Sequence, residues 1–360
     1  VTADARPDLC DLPREDLRRL VASLGEPAFR GDQVFRWIWK RGARSFDEMT
    51  DLPAPLREKL AAAAVVGRVA VARIDRSADG TRKFLVRLAD GRDVECVLIP
   101  ETSRMTLCIS SQVGCALACA FCATGTMGLL RNLTPGEIAG QVALAVEELR
   151  ARPHPGHPDR ERPVTNIVYM GMGEPLHNYD AVLASLRILT DEQGLDFPPR
   201  RITVSTVGLV PQMAALGEAI PVNLAVSLHA PNDRVRGRIM PVNRRYDLSA
   251  LLDACRKFPL GTRRRITFEY VLLHGVNDSL AQADELARAL RGLRCKVNLI
   301  PWNEHPGADF RRPPDAVVRA FADRLRTRGV DTTVRVTRGR DIAAACGQLA
   351  LDAPGRAGRP

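Results

Sequence analysis

An α/β fold, a partial barrel of six strand–helix units with a small helical unit in front of it, is predicted by three observations. Six short, apolar, β-branched runs recur between residues 104 and 300, and amphipathic helical stretches separate them. Alternation of this kind builds a parallel sheet with helices on its outside. The first 64 residues contain only helical patterns, so the chain changes character before the strands begin. Finally, 360 residues exceed the usual single-domain size. A doubly wound open sheet is the structural alternative.

Residues 8–64 read as the helical unit. Pro13-Arg-Glu-Asp-Leu17 opens one helix and Pro55-Leu-Arg-Glu-Lys-Leu60 closes the set. Between them, Val34, Trp37 and Ile38 fall at i, i+3, i+4, and Phe35 and Trp39 form a second i, i+4 pair. Such aromatics dominate small cores. The cations Arg30, Arg36, Lys40, Arg41 and Arg44 among them could hold RNA phosphates. Two alternating runs, 81–88 and 93–99, are joined through Asp90-Gly91 and predict a hairpin. Glu95 lies in its second strand on the face of Val97 and Ile99, so its carboxylate could point inward.

The strand–helix alternation begins at residues 104–109. Thr134-Pro-Gly-Glu137 supplies a capping box with proline at the first helical position, opening a helix to about Arg150. Residues 151–163 are polar, proline-rich and unpatterned, a surface excursion in which a metal site at His154 and His157 would be entropically costly. Further strands fall at 166–170, 201–205, 223–228, 267–272 and 296–300, with helices at 180–189, 248–257 and 281–290. The domain reading is 1–70 for the helical unit, 71–100 for the hairpin, 101–350 for the barrel and 351–360 for a disordered tail.

The net charge of +10 and pI near 9.5 suit a partner with many phosphates, or an arginine-rich soluble surface. Nine cysteines without a regular framework argue for a reducing compartment, hence the cytoplasm. The first residues lack the apolar core of a signal peptide. No run reaches the roughly 18 apolar residues of a membrane span.

Cys115-Ala-Leu-Ala-Cys119-Ala-Phe-Cys122 places three thiols within eight residues, inside Ser111-Gln112-Val113-Gly114 and Ala123-Thr124-Gly125. Three thiolates can hold an iron–sulfur cube and leave one iron open, as a catalytic metal needs. A zinc knuckle with its fourth ligand elsewhere uses the same residue type. In parallel architectures, function gathers at the carboxyl ends of the strands. Those ends offer Gly171-Met-Gly-Glu-Pro175, Ser205-Thr206, Ser227-Leu-His229 and Pro301-Trp-Asn303, groups suited to a small polar ligand.

The x3/x2 cysteine spacing with an aromatic before the last cysteine resembles the signature of radical S-adenosylmethionine (SAM) enzymes. The longer run from Thr106-Leu-Cys-Ile through Cys122-Ala-Thr-Gly resembles their 23S ribosomal RNA adenine C2 methyltransferases, over nearly the whole chain. The resemblance implies a partial (β/α)6 barrel of the radical SAM type, an accessory helical domain used on RNA, one [4Fe-4S] cluster on Cys115, Cys119 and Cys122, and SAM. It carries Gly173, Glu174, Ser205, Ser227, Leu228, His229 and Asn303 over as cofactor contacts. It implies that Cys346 carries a methyl group, that Cys108 resolves the RNA adduct through a transient disulfide with Cys346, and that Glu95 accepts the C2 proton. Radical chemistry suits C2, an electron-poor carbon that does not attack a methyl cation donor. The implied partners are 23S rRNA, tRNA and an electron donor such as a flavodoxin-type reductant, with no membrane. The sister activity at adenine C8, associated with antibiotic resistance, shares the cluster, the Gly-Glu-Pro turn and both cysteines. A non-catalytic, zinc-holding RNA assembly factor is the alternative of another class. Cys10, Cys96, Cys255 and Cys295 match no functional position and read as small core residues.

Overall fold

The computed structural model describes residues 6–154, 161–262, 264–305 and 307–350. The expected tail at 351–360 and His157 lie outside the described residues.

Helices α1 (Arg14–Ser23), α2 (Phe29–Trp39) and α3 (Ala54–Ala63) make up the amino-terminal unit. Val34, Phe35, Ile38 and Trp39 are buried as their spacing predicts. Trp37 is only half-buried and carries Arg41 against its ring, 4.2 Å from the centroid. The unit docks on the outside of the barrel. Asp11 accepts from the backbone N–H of Gly136 at 2.9 Å, Arg14 bonds Asp191 at 2.8 Å, and Arg36 donates to Gln193 at 2.6 Å.

Four antiparallel strands follow, β1 (Ala70–Arg76), β2 (Arg82–Arg87), β3 (Asp93–Glu101) and β4 (Arg104–Cys108). The expected hairpin is β2–β3, turning at Gly91 with φ +82°. It sits within a longer meander because β1 adds an edge strand before it and β4 pairs with β3 after it.

The chain then forms a small ribbon, β5 (Gln112–Cys115) and β6 (Gly128–Asn132), with α4 (Ala123–Thr126) between them. From there it alternates: α5 (Pro135–Ala151), β7 (Asn166–Tyr169), α6 (Tyr179–Thr190), β8 (Ile202–Thr206), α7 (Val210–Ala219), β9 (Asn223–Ser227) and α8 (Asp233–Ile239). The rest comprises α9 (Leu248–Lys257), β10 (Ile266–Leu272), α10 (Leu280–Ala289), β11 (Cys295–Pro301), α11 (Asp315–Thr327) and β12 (Thr332–Val334). Strands β4 and β7 to β12 run parallel in one ten-stranded sheet, ordered β1-β2-β3-β4-β7-β8-β9-β10-β11-β12. The six expected parallel strands are present, and β12 adds a seventh. It is three residues long with two of them exposed, too short for alternation to show. The capping box at Thr134 and Glu137 opens α5 as the sequence predicts. Its helix is buried along much of its length, beneath the amino-terminal unit.

Candidate active site

The three-cysteine loop is held at both ends. Cys115 closes β5, and Gly114, at φ +80°, admits no side chain because a Cβ would lie 1.9 Å from the Gly128 carbonyl oxygen. Cys122 is the cap of α4, and its N–H donates to the Cys119 carbonyl at 3.1 Å. Between them Ala120 N–H donates to the Ile239 carbonyl of α8 at 2.9 Å. Cys119 and Phe121 pack with Val235, Ile239 and Met240 in an apolar cluster. Burial pushes all three thiols up, Cys115 to about 11, and at Cys119 the charges of Cys122 and Cys115 add to it. Three mutually repelling thiolates in a buried loop need a cationic centre among them, and an iron–sulfur core provides one. Three thiols spread along one braced loop fit a cluster whose irons each take one sulfur.

Beside this loop lies a cavity of about 150 Å³, lined by Cys122, Gly173, Glu174, Ser205, Ser227, His229, Asn303 and Cys346 among others. Gly173 has φ +96°, and a Cβ there would meet the Gln112 side chain at 2.5 Å. Gln112 in turn accepts from the N–H of Glu174 at 2.9 Å. The Glu174 carboxylate accepts from the N–H groups of Leu176 (3.1 Å) and Val207 (2.9 Å). Burial raises it to about 7, against the lowering effect of Thr206, Val207 and Leu176. No cation pairs with it among the described residues, so it suits the ammonium group of a ligand such as SAM. Asn303 donates to the Cys346 carbonyl at 3.2 Å while its buried Oδ1 lacks a partner, a second acceptor facing the same space.

His229 sits at φ +58° with its Nδ1 accepting from Val271 N–H at 3.0 Å, which leaves the proton on Nε2. Burial, then Arg236, hold its pKa down at about 3, so the ring is a neutral donor. Phe121 packs edge-on against it at 4.7 Å. The Leu228 side chain is fully buried in the main core and lines neither this cavity nor the larger one beside it. Its backbone N–H donates to the Glu269 carbonyl and its carbonyl accepts from Arg236.

The larger cavity, about 760 Å³, runs through the barrel interior and contains Cys108, Cys122 and Cys346 in its wall. Cys108 is buried, and burial followed by the Cys346 charge pushes it up to about 12, partly offset by Arg335. Glu95 is 2 % exposed and paired with Lys83 at 3.1 Å. It does not line the cavity, but Val97, two residues on, does and pairs directly with Cys108. The Cys346 segment is bonded to the metal loop's own helix: Ala123 N–H donates to Gly347 at 2.8 Å and the Thr124 hydroxyl to Leu349 at 2.6 Å.

Three organising residues were not singled out by sequence reasoning. Arg236, fully buried, donates to the carbonyls of Val207, Ser227, Leu228 and Tyr246 and to Asn243. Asn277 bridges the carbonyls of His229 and Val271 at 2.7 Å each, fixing the left-handed histidine. Arg335 lines both cavities beside Cys346. A lone arginine or asparagine outside a motif gives no sequence signal of burial.

Two family profiles match the chain. Residues 7–66 match the ribosomal RNA large subunit methyltransferase N-terminal domain, and residues 109–287 match the radical SAM superfamily. The dual-specificity RNA methyltransferase RlmN of Anaeromyxobacter dehalogenans (strain 2CP-C) is 54 % identical over 352 residues, covering 98 % of this chain and 94 % of that protein. Its counterpart in Geobacter sulfurreducens is 51 % identical over 346 residues, covering 96 % and 92 %. A crystal structure of a radical SAM methyltransferase from Sphaerobacter thermophilus superposes with a TM-score of 0.87 at 49 % identity, covering 95 % of this chain and 99 % of that one. With three cysteines in one braced loop, a polar-lined cavity beside it and near-full-length identity above one half, the chain belongs to the dual-specificity RNA methyltransferase RlmN family of radical SAM enzymes.

Proposed function

We propose that the protein methylates C2 of an adenine in 23S rRNA, and of an adenine in tRNA, through a methyl group carried on Cys346. The observation that carries this reading is the gathering of two further cysteines, Cys108 and Cys346, in the wall of the cavity that also holds the third cysteine of the metal loop. A radical SAM enzyme using ordinary hydrogen abstraction would have no use for that pair.

The cluster and SAM, when bound, supply one-electron reduction and hydrogen-atom abstraction. Cys115, Cys119 and Cys122 hold the cluster. Glu174 and Asn303 accept from the cofactor's ammonium group, Gly173 lets the backbone approach it, and Ser205, Ser227 and His229 supply donors around the remainder. Cys346, as thiolate, takes a methyl from one SAM. After hydrogen abstraction that carbon bonds to adenine C2, joining RNA to Cys346. Glu95, its charge matched by Lys83, accepts the C2 proton. The adduct's unpaired electron passes back to the electron carrier. Cys108, as thiolate, then attacks the Cys346 sulfur, the S–CH2 bond breaks as the S–S bond forms, and the departing carbon takes a proton to become the methyl group of the RNA, leaving a disulfide to be reduced before the next turnover. The electron donor is a flavodoxin-type reductant, and the helical unit is an RNA-binding accessory domain. The free cysteines fit a cytoplasmic enzyme, and no helix among the described residues is long and apolar enough to cross a membrane.

The test is anaerobic reconstitution followed by reaction with 23S rRNA and tRNA, nuclease digestion and chromatography against 2- and 8-methyladenine. About four irons per chain and 2-methyladenine are expected. Only 8-methyladenine would place the activity at the neighbouring carbon, and colourless protein with tight zinc would overturn the enzyme reading. Cys108→Ala should accumulate a covalent protein–RNA adduct, visible as a slow band on a denaturing gel; normal product release by that variant would refute its resolving role.

A further inference from the structure

The chain's basic residues are not equally available to a polyanion. Every arginine in the described part of the helical unit has an acceptor within the protein. Arg14 and Arg18 share Asp32, Arg41 bonds Asp51, Arg44 and Arg68 share Glu147, and Arg36 holds Gln193. Arg6 and Arg57 donate to backbone carbonyls, Arg19 pairs with Asp16 and Arg30 with Gln33.

The segment 232–247, which follows β9 and contains α8, is different. It carries five arginines against two aspartates. One arginine, Arg236, is the buried organiser described above. The other four, Arg234, Arg238, Arg244 and Arg245, are exposed, and among the described residues no hydrogen bond or ion pair occupies their guanidinium groups. Arg245 lies over the Tyr246 ring at 5.4 Å. The two aspartates form no ion pair with them among the described residues: Asp233 accepts from Leu248 N–H and Asp247 caps α9 at Ala250, so the segment keeps a net positive charge.

Placement completes the argument. The segment emerges from the strand end bearing Ser227 and His229, and its Ile239 carbonyl holds the metal loop at Ala120. Arg236 ties Tyr246 and α8 to the carbonyl ends of the neighbouring strands. Four exposed positive charges are thus carried by the segment that braces the metal loop and the strand ends around the site, outside the walls of both cavities. Guanidinium groups bind phosphate in a bidentate fork, and cations already paired must first give up a partner.

We infer that the rim segment 232–247 is the principal phosphate-gripping surface of the enzyme, with Arg234, Arg238, Arg244 and Arg245 contacting the RNA backbone that flanks the target adenine. The inference rests on the reading of RNA as substrate and locates where that substrate is held. Backbone contacts of this kind give affinity and register without sequence preference, so one rim serves both rRNA and tRNA.

The experiment measures binding of full-length, cluster-loaded protein to a 23S rRNA transcript and to an unmodified tRNA transcript at several salt concentrations. It compares wild type, the rim variant R234Q/R238Q/R244Q/R245Q and a control of equal charge loss on the opposite, amino-terminal face of the sheet, R187Q/R200Q/R256Q/R291Q. Each phosphate contact contributes about 0.7 to 0.9 to the slope of log K against log salt. The rim variant should lose about 3 from that slope and at least about tenfold in affinity at ~0.15 M salt, with the control close to wild type. Equal losses in both variants, or a rim slope unchanged from wild type, would overturn the inference. Iron content confirms an intact site; if the quadruple variant loses its cluster, R234Q and R244Q singly should each lower the slope by somewhat under 1. Wild-type protein that binds RNA but transfers no methyl would defeat the functional reading, whereas normal methylation with an unaltered rim variant defeats the surface assignment alone.

Discussion

The metal loop and the Cys346 segment both present cysteine to the same cavity, yet they are held by different balances of packing and hydrogen bonding. The metal loop is fixed by packing and by a ribbon: Cys119 and Phe121 lie in an apolar cluster with α8, and β5 and β6 clamp its ends. Residues 335–349 have one turn of 3₁₀ helix, Arg340–Ile342, between left-handed Gly339 and Ala343. Ala344 and Leu349 pack in the main core and Cys346 against the apolar cluster of the metal loop, and polar contacts tether the rest. Asp79 accepts from Gly339 N–H at 2.9 Å, Asp341 from the Ser77 hydroxyl at 2.6 Å, and Asn303 donates to the Cys346 carbonyl. Apolar packing gives a site one geometry, whereas a few hydrogen bonds permit small displacements at modest cost. A cluster needs the first. On the proposed mechanism, a cysteine that meets a methyl donor, an adenine and a second cysteine in turn needs the second.

Substituting one cysteine from each region should break the comparison most completely. Cys122→Ala is expected to abolish the brown cluster, seen as loss of the visible absorbance band and of iron, and with it all methyl transfer. Cys346→Ala is expected to retain iron at wild-type level while protein digests analysed by mass contain no S-methylcysteine. If Cys346→Ala loses the cluster as well, the two regions are one cooperative unit and the division drawn above fails.

The same division governs what could be read from the chain. The parallel strands were legible because each is a short β-branched run followed by a helical stretch, and α5 because Thr134 and Glu137 write its cap into the sequence. The metal loop was legible because its spacing is local. Strand β12 and the β5–β6 ribbon were not, since neither is long enough to alternate and the ribbon depends on a contact between Gly114 and Gly128 that no periodicity encodes. The roles of Cys108, Cys346 and Glu95 came from resemblance: they lie in three separate segments, and only the fold brings Cys108 and Cys346 into the wall of one cavity, with Glu95 buried behind it on the strand beside Cys108. Arg236 was invisible because an arginine in a basic segment reads as solvated, whereas here its five acceptors are backbone carbonyls and one amide.

The rigid half should also reveal itself through pH. Glu174 is raised from 4.5 to about 7 chiefly by burial. It therefore binds a proton more tightly folded than unfolded, and its effect on stability is most favourable below pH ~4.5 and declines as pH rises to about 7, by on the order of 3 kcal/mol. A ligand ammonium favours the ionised form, so SAM affinity should rise about tenfold between pH 6 and pH 8. Calorimetric titration of the cluster-loaded protein checks this. Glu174→Gln should bind SAM weakly with a flat profile; a wild-type affinity independent of pH would remove Glu174 from the ammonium site.

The smallest effect concerns the tether itself. Burial would raise the Asp79 carboxyl, but the donors Thr81, Gly339 and Ser77 outweigh it and hold the group at about 2. The depressed value means that its contribution to stability is fully present above pH ~4 and is lost only as pH falls towards 2. Asp79 is thus a carboxylate throughout the working range and adds no pH dependence there. Asp79→Ala removes the acceptor for Gly339 N–H, a charge-assisted bond worth about 1.5–3 kcal/mol, part of which the segment recovers by bonding to water. A three- to tenfold slower S-methylation of Cys346 is expected, with iron content and SAM affinity unchanged, because nothing in the metal loop or around Glu174 leans on Asp79. Asp79→Asn keeps one acceptor oxygen and should fall between. Equal slowing of SAM binding and S-methylation would mean that the tether supports the whole cavity, and the Cys346 segment would then be as rigid as the loop it faces.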